Sequence, residues 1–211
     1  MNSGRVTHIP ITTVKSIVKD FRMDEKRFNP RKLYKLNNPD RLSDQPPEYI
    51  WNKLNLKNPN ILVDIGAGTG FFSIPFVGYT KNGKVFACDI SDIMIEWMKN
   101  NVCQKYPNII PLKMEGCAVP LEDSLADLVY MINLHHELDE PIEMLKESFR
   151  LLKDNGKIFI VDWKKEEMLQ GPSKHLRYLP EEVKNQLISV GFKNVTIYHE
   201  MPKHFLVVAE K

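Results

Sequence analysis

The sequence is poor in cysteine, has no long apolar run and carries almost no excess charge. Its three cysteines, Cys88, Cys103 and Cys117, form no Cys-x-x-Cys pair, which argues against a disulfide framework or structural zinc and favours a reducing compartment. No early segment has the apolar core of a signal peptide and no stretch approaches a membrane span, so we expect a cytoplasmic protein without a membrane partner. A formal net charge of +2 is too small to make nucleic acid the main partner.

From residue 60 onward, short apolar runs alternate with helical patterns, which is typical of βαβ units and a mostly parallel sheet. Only the segment EMPK separates the last two runs, and so short a link joins antiparallel neighbours because a parallel crossover needs more residues. We therefore expect one α/β domain whose seven-stranded, mostly parallel sheet ends in an antiparallel β-hairpin. The predicted strands are 60–66, 84–90, 109–115, 126–133, 157–163, 194–199 and 204–210.

Capping residues predict where the helices between these strands begin and end. The expected helix starts are Ser91, Pro141 and Pro180, and the expected left-handed end of the last helix is Gly191. The apolar face expected for the helix after Ser91 includes Ile93, Trp97 and Met98.

The N-terminal 45 residues form a separate region in this interpretation. Val14, Ile17, Val18 and Phe21 recur at helical spacing, and prolines punctuate the next part of the chain. We expect a helix and an ordered arm over 1–45, acting as a lid over the active site, and a main domain over 46–211. The alternative is that residues 1–25 are a flexible leader.

The segment ILVDIGAGTGFF, residues 61–72, reads as a strand, a bare loop and a helix beginning at Thr69. Such a loop lies at the carboxyl end of its strand, where open α/β sheets bind ligands. Asp89 follows Gly70 by 19 residues and is expected to hold both hydroxyls of a ribose. A dinucleotide fingerprint would need glycine or alanine at Phe71, and no lysine follows the loop as in nucleotide triphosphate sites. The alternative is that the glycines and Asp89 only serve a tight turn and a helix start.

Four motifs in order resemble the class I S-adenosylmethionine-dependent methyltransferases: VDIGAGTGFFSI, VFACDIS, EGCAVPLEDSLADLVYMINLHHELDEP and SFRLLKDNGKIFIVDW. The resemblance covers residues 60–211 and is strongest to small single-domain members of the type 11 or UbiE-like kind. It implies a Rossmann-like three-layer sandwich, a methyltransferase domain over 46–211, S-adenosylmethionine as the cofactor and S-adenosylhomocysteine as the product.

The resemblance also implies which residues hold the cofactor. Asp64 orders the loop and meets the methionyl amino group, and Ile90 and Met94 flank the adenine. Cys117 stands where family members commonly have an aspartate for the adenine amino group, so this contact is altered here. The full set of implied cofactor residues is Asp64, Gly66, Ala67, Gly68, Gly70, Asp89, Ile90, Met94, Gly116, Cys117, Ala118, Asn133 and Leu134.

His135 and His136 come after the fourth predicted strand and are the candidate catalytic residues, as general bases for an acceptor O–H or N–H. The alternatives are that one histidine packs over the cofactor while the other caps a helix, and that positioning alone drives the transfer. Arg41 and Arg177 are candidates for orienting an acidic substrate. No metal site is expected.

The residues directly after the fourth strand narrow the choice of methyl acceptor. The chain has NLHH there, in place of the Asn-Pro-Pro-aromatic run usual in enzymes that methylate base amino groups, so we expect a small-molecule acceptor. Two alternatives remain open. One is a non-catalytic protein with this fold, and the other is a protein or tRNA methyltransferase that acts with a partner subunit. The sequence also leaves a homodimer open.

Overall fold

The computed structural model describes residues 33–211, which form three layers around one sheet. The sheet has seven strands in the order β3-β2-β1-β4-β5-β7-β6. The strands are β1 (Ile61–Ile65), β2 (Lys84–Asp89), β3 (Ile109–Lys113), β4 (Ala126–Ile132), β5 (Leu152–Trp163), β6 (Lys193–Tyr198) and β7 (His204–Glu210). The α-helices are α1 (Leu33–Leu36), α2 (Asp40–Asp44), α3 (Pro47–Leu54), α4 (Ser73–Gly78), α5 (Asp92–Asn101), α6 (Pro141–Leu151) and α7 (Pro180–Val190).

The strand directions confirm the predicted α/β class and its closing hairpin. β1 through β5 pair in parallel, whereas β7 runs antiparallel to both β5 and β6. Two boundaries differ from the prediction by more than one residue. β3 ends at Lys113 because Glu115 turns back to pair with Ala118, and β5 begins at Leu152, directly after α6.

The helix starts at Pro141 and Pro180 are confirmed, and Gly191 ends α7 with φ of 113°. The helix after the glycine loop begins at Ser73, not at the predicted Thr69, since residues 66–72 form successive turns. The expected core position of Ile93 was wrong: its side chain is 54% exposed, and α5 instead buries Met94, Ile95 and Met98.

Two apolar clusters cover the faces of the sheet. One face packs against α6 and α7, and the other packs against α3, α4 and α5. At the centre of the second cluster, the rings of Tyr130 and Phe159 stack with centroids 5.0 Å apart, and Phe76 packs on both. Burying each such side chain contributes about 1.5–3 kcal/mol, and this packing fixes the strand ends that carry the site.

The helix predicted around Val14 and Phe21 lies outside the residues that the structure describes. Over residues 33–211, none of the helices combines the length and apolar character that crossing a bilayer requires.

Candidate active site

The glycine loop leaves β1 through three residues in the left-handed region. Gly66, Gly68 and Gly70 have φ of 71°, 57° and 73°, a conformation that costs other residues about 1–2 kcal/mol. A Cβ on Gly66 would also lie 2.7 Å from Leu134, the residue just after β4. The backbone N–H groups of Gly66 and Ala67 donate to the Cys88 carbonyl at 2.9 and 3.0 Å. These hydrogen bonds attach the loop to the end of β2, and Gly66 packs against Leu134 after β4.

Asp89 ends β2 and faces this loop. One carboxylate oxygen accepts the Gly68 N–H and the other accepts the Ser91 N–H, each at 2.8 Å. Ser91 occupies the cap position of α5 as predicted, but its own side chain makes no capping bond. Burial raises the pKa of Asp89, and the two N–H bonds oppose that shift. Because a carboxylate offers about four acceptor sites, Asp89 can still accept from two hydroxyls.

Asp64 lies beneath the loop and is only 2% exposed. The hydroxyl of Ser73 donates to its carboxylate at 2.6 Å. Burial raises the pKa of Asp64 to about 7, while the hydrogen bond from Ser73 and the charge of Arg41 act in the opposite direction. This carboxyl therefore changes its ionisation near neutral pH, and a further cation beside it would favour the ionised form.

The residues predicted for the adenine lie farther along the same edge. Ile90 is 44% exposed beside the loop, and Met94 is buried one turn into α5. Gly116, with φ of 56°, turns the chain after β3. Cys117 and Ala118 line a shallow cavity of about 340 Å³ that continues onto charged residues of α6 and not onto the glycine loop.

Asn133 comes directly after β4 and has φ of 57°. Its N–H donates to the Val161 carbonyl at 2.8 Å, and its side-chain oxygen accepts from the amide of Gln45 at 2.9 Å. Gln45 is 1% exposed. Leu134 packs on Gly66, so both predicted residues of this turn lie beside the glycine loop.

The two candidate histidines face different neighbours. Nδ1 of His136 lies 2.7 Å from one oxygen of Asp162, and the His136 backbone N–H donates to the other oxygen at 2.9 Å. His135 is fully buried, with Nε2 2.7 Å from the side-chain oxygen of Gln186 and its ring against Tyr178. The carboxylate at the end of β5 thus holds His136 by two hydrogen bonds.

The charge of His136 follows from that pairing. Burial disfavours the protonated ring, but the charge and hydrogen bond of Asp162, together with Glu137, outweigh burial and raise the pKa. For Asp162 burial acts upward, and the His136 charge overcomes it, so the carboxyl pKa is lowered. Asp162 thus holds Nδ1 of the His136 imidazole by a hydrogen bond, and each partner favours the charged form of the other.

Residues 33–45 lie over the loop, through contacts that the sequence did not assign to particular residues of the arm. Leu36 is so close that a Cβ on Gly68 would lie 3.1 Å from it. The guanidinium of Arg41 lies over the rings of Phe71 and Phe72, at 5.3 and 4.8 Å from their centroids. Burial lowers the pKa of Arg41 to about 10, opposed by Asp64, so the group stays charged.

Arg177, the other candidate for binding an acidic substrate, donates its hydrogen bonds to backbone carbonyls of the protein itself. Its guanidinium makes five hydrogen bonds to the carbonyls of Pro172, Lys164, Glu166 and Gln170. All its donors are therefore committed to the loop after β5. Among residues 33–211, no three of the histidine, cysteine and acidic side chains converge to form a metal site.

Comparisons with known proteins agree with this geometry. Residues 62–156 match the family described as a methyltransferase domain. The crystal structure of an S-adenosylmethionine-dependent methyltransferase from Aquifex aeolicus is 32% identical, covers 87% of this chain and 99% of its own, and superposes with a TM-score of 0.80. This chain belongs to the class I S-adenosylmethionine-dependent methyltransferases.

Two curated relatives carry more specific names. A tRNA(Phe) (4-demethylwyosine(37)-C(7)) aminocarboxypropyltransferase from Methanocaldococcus jannaschii is 28% identical over 74% of this chain and 61% of its own. The ubiquinone/menaquinone biosynthesis C-methyltransferase UbiE of Yersinia enterocolitica is 22% identical over 70% of this chain and 74% of its own. The chain spans 42% to 61% of the length of three curated relatives, the tRNA enzyme among them.

The cofactor of this family, S-adenosylmethionine, suits the residues at the site. The glycine loop presents bare backbone, and Asp89 keeps acceptor capacity for ribose hydroxyls. Ile90 offers an exposed apolar surface for a base. The buried carboxyl of Asp64 favours a positive neighbour such as an amino group or sulfonium.

Proposed function

We propose that this chain transfers a methyl group from S-adenosylmethionine to a small-molecule acceptor. The observation that carries the small-molecule proposal is the enclosure of the edge beside the glycine loop. Gln45, His136 and Asp162 are all at most 4% exposed. The bond from Gln45 to Asn133 attaches the arm of residues 33–45 to the turn after β4. A closed polar site of this kind suits a compact ligand better than a macromolecular surface.

The cofactor would be held by the residues that the sequence predicted. When bound, it supplies a methyl group on a positively charged sulfur. Asp89 would accept the ribose hydroxyls, Asp64 would balance the positive charge, and Ile90 with Met94 would flank the base. The remaining proposed contacts are Gly66, Ala67, Gly68, Gly70, Gly116, Cys117, Ala118, Asn133 and Leu134.

His136 is the proposed general base. With Asp162 accepting from Nδ1, the lone pair resides on Nε2, which can take a proton from an acceptor hydroxyl or amine. Because the pKa of His136 is raised, the base form gains population as pH rises above the usual histidine range. His135 is a positioning residue in this proposal, since its Nε2 is used by Gln186.

The arm of residues 33–45 is proposed to act as a lid. Leu36 covers Gly68, and Arg41 lies on Phe71 and Phe72. A cofactor that contacts Gly68 must displace Leu36, so the arm has to move when the cofactor enters or leaves.

A second candidate function is modification of tRNA. The 28% identity to the Methanocaldococcus enzyme favours it, whereas the small net charge of +2 does not. A tRNA substrate would require the arm to open widely or a partner subunit to add a basic surface.

The test is transfer of label from S-adenosylmethionine, carried in one preparation on the methyl group and in another on the carboxyl carbon, into two separate pools, deproteinised small molecules and unmodified tRNA. We expect label in the small-molecule pool, loss of that label with His136→Gln, and none in tRNA. Label confined to tRNA would support the second function instead. Cofactor binding without transfer to either pool would favour a non-catalytic binding protein.

A further inference from the structure

His204 lies at the same edge of the sheet as the proposed acceptor site. β7 runs antiparallel to β5, and its first residue pairs with the last residue of β5, Trp163. The amino end of β7 therefore meets the carboxyl ends of β4 and β5, where open α/β sheets bind ligands. The imidazole of His204 contacts the Trp163 ring, with centroids 4.2 Å apart.

The imidazole of His204 is buried without a hydrogen bond. The residue is 1% exposed, and within residues 33–211 neither ring nitrogen finds a hydrogen-bond partner. Leaving a buried polar atom unpaired costs about 1–3 kcal/mol. A phenylalanine or leucine would fill this position without that penalty, so the fold alone does not account for a histidine here.

The charged side chains near His204 are paired with one another or with other residues. Asp162 is paired with His136, and Asp44 accepts from Lys203 at 2.8 Å. Arg41, on the same side, acts on Asp64. Burial lowers the pKa of His204 to about 4, and the opposing charges of Asp162 and Asp44 do not overcome it. At neutral pH the ring is neutral, with one nitrogen donating and the other accepting.

A second buried atom at this edge also has unused capacity. The side-chain oxygen of Gln45 accepts no hydrogen bond from any residue of the described chain, although its amide donates to Asn133. α2 spans this edge, from Asn133 after β4 to Lys203 before β7. The unused hydrogen-bonding groups below α2 are thus neutral, because the charged groups have partners.

We propose that His204 contacts the methyl acceptor directly and selects a neutral hydroxyl or amide group on it. This inference rests on the proposed function and deepens it, because it specifies the polar group of the acceptor. A carboxylate can accept from the ring N–H but has no proton to donate to the other ring nitrogen, whereas a hydroxyl or amide can bond either nitrogen. His204 therefore acts as a specificity residue opposite His136.

The first test compares two histidine-to-phenylalanine substitutions in the protein without ligand. His204→Phe removes two unpaired nitrogens, so we expect the thermal midpoint to rise by about 2–4 °C. His135→Phe is the matched control, because it removes an equally buried imidazole that bonds Gln186, and its midpoint should fall. A fall of similar size in both variants would show that His204 is structural and would overturn the proposal.

The second test looks for the contact itself. Protein labelled with ¹⁵N at histidine and saturated with S-adenosylhomocysteine is titrated with phenol, and with toluene as the probe that lacks a hydroxyl. We expect phenol, but not toluene, to shift the ring-nitrogen resonances that disappear in His204→Phe. Resonances of His204 that respond equally to both probes, or to neither, would overturn the proposal.

The cofactor site and the role of His204 can fail separately. If wild-type protein does not bind S-adenosylhomocysteine, the proposed function fails, while the stability comparison of the two variants still reports on His204. If it binds and His204→Phe binds within about twofold of it, as we expect, then a failed phenol titration counts against the His204 assignment alone.

Discussion

The two halves of the candidate site are built in different ways. The cofactor half, at the ends of β1 and β2, comes from one short segment and one aspartate, joined by the Gly68–Asp89 bond. The acceptor half, at the ends of β4, β5 and β7, is assembled across long stretches of chain. Gln45 bonds Asn133 88 residues away, and Asp44 bonds Lys203 159 residues away. Local sequence therefore describes the first half well, and tertiary packing determines the second.

The largest expected effect is on the acceptor half. Replacing His136 with glutamine removes the proposed base, so kcat for methyl transfer should fall by about 10²–10⁴-fold while binding of S-adenosylhomocysteine stays unchanged. His135→Gln is the control. It should lower the unfolding midpoint, and it should lower kcat much less than His136→Gln does. Equal losses of kcat in both variants would remove the distinction that the His136–Asp162 pair makes between the two histidines.

The cofactor half is expected to be sensitive to a single methyl group. Gly66→Ala places a Cβ against Leu134 at a positive φ, so we expect unfolding free energy to fall by about 2–3 kcal/mol. Gly78→Ala is the matched control, because a Cβ there meets nothing within 4 Å, and it should be neutral or slightly stabilising. Denaturant unfolding of both variants measures the difference, and similar values would contradict the role of the loop backbone.

A smaller effect is expected from pH. Burial raises the pKa of Asp64 to about 7 in the free protein, and a cationic ligand binds the ionised form. Affinity for S-adenosylmethionine should therefore level off as pH rises above 7 and fall by up to about tenfold per pH unit as pH drops below it. Asp64→Asn should remove this slope. Calorimetric titrations across this range check it, and a slope that persists in Asp64→Asn would assign the proton to another group.

The smallest expected effect concerns the arm. Gln45→Ala removes one hydrogen bond to Asn133, worth about 0.5–1.5 kcal/mol, and should speed hydrogen exchange across residues 33–45 by about two- to tenfold. Asp40→Ala, at an exposed position of the same arm, should leave the exchange unchanged. Exchange that is fast in wild type and in both variants would mean that this bond does not hold the arm closed.

The same contrast explains what the sequence could predict. The glycine spacing, Asp89 and the succession of strands along the chain follow from local patterns, because positive φ and alternating burial restrict which residues fit. The positions of Gln45 and His204 carry no such pattern, since their neighbours are set by how α2 and β7 pack on the sheet. The prediction for α5 placed Ile93 in the core, but Ile93 is exposed and its neighbour Met94 is buried. The spacing of apolar residues alone therefore did not determine which face of α5 packs on the sheet.

Titration calorimetry with S-adenosylmethionine, S-adenosylhomocysteine and NADH decides whether the glycine loop and Asp89 form an adenosyl-cofactor site. We expect micromolar binding of both adenosyl ligands and no heat with NADH. Asp89→Ala should weaken adenosyl binding by about 10–150-fold, the equivalent of one charge-assisted hydrogen bond, whereas Asp92→Ala, an exposed neighbour paired with Lys113, should leave it unchanged. Absence of adenosyl binding in wild type, or equal binding in both variants, would contradict the cofactor site described for this chain.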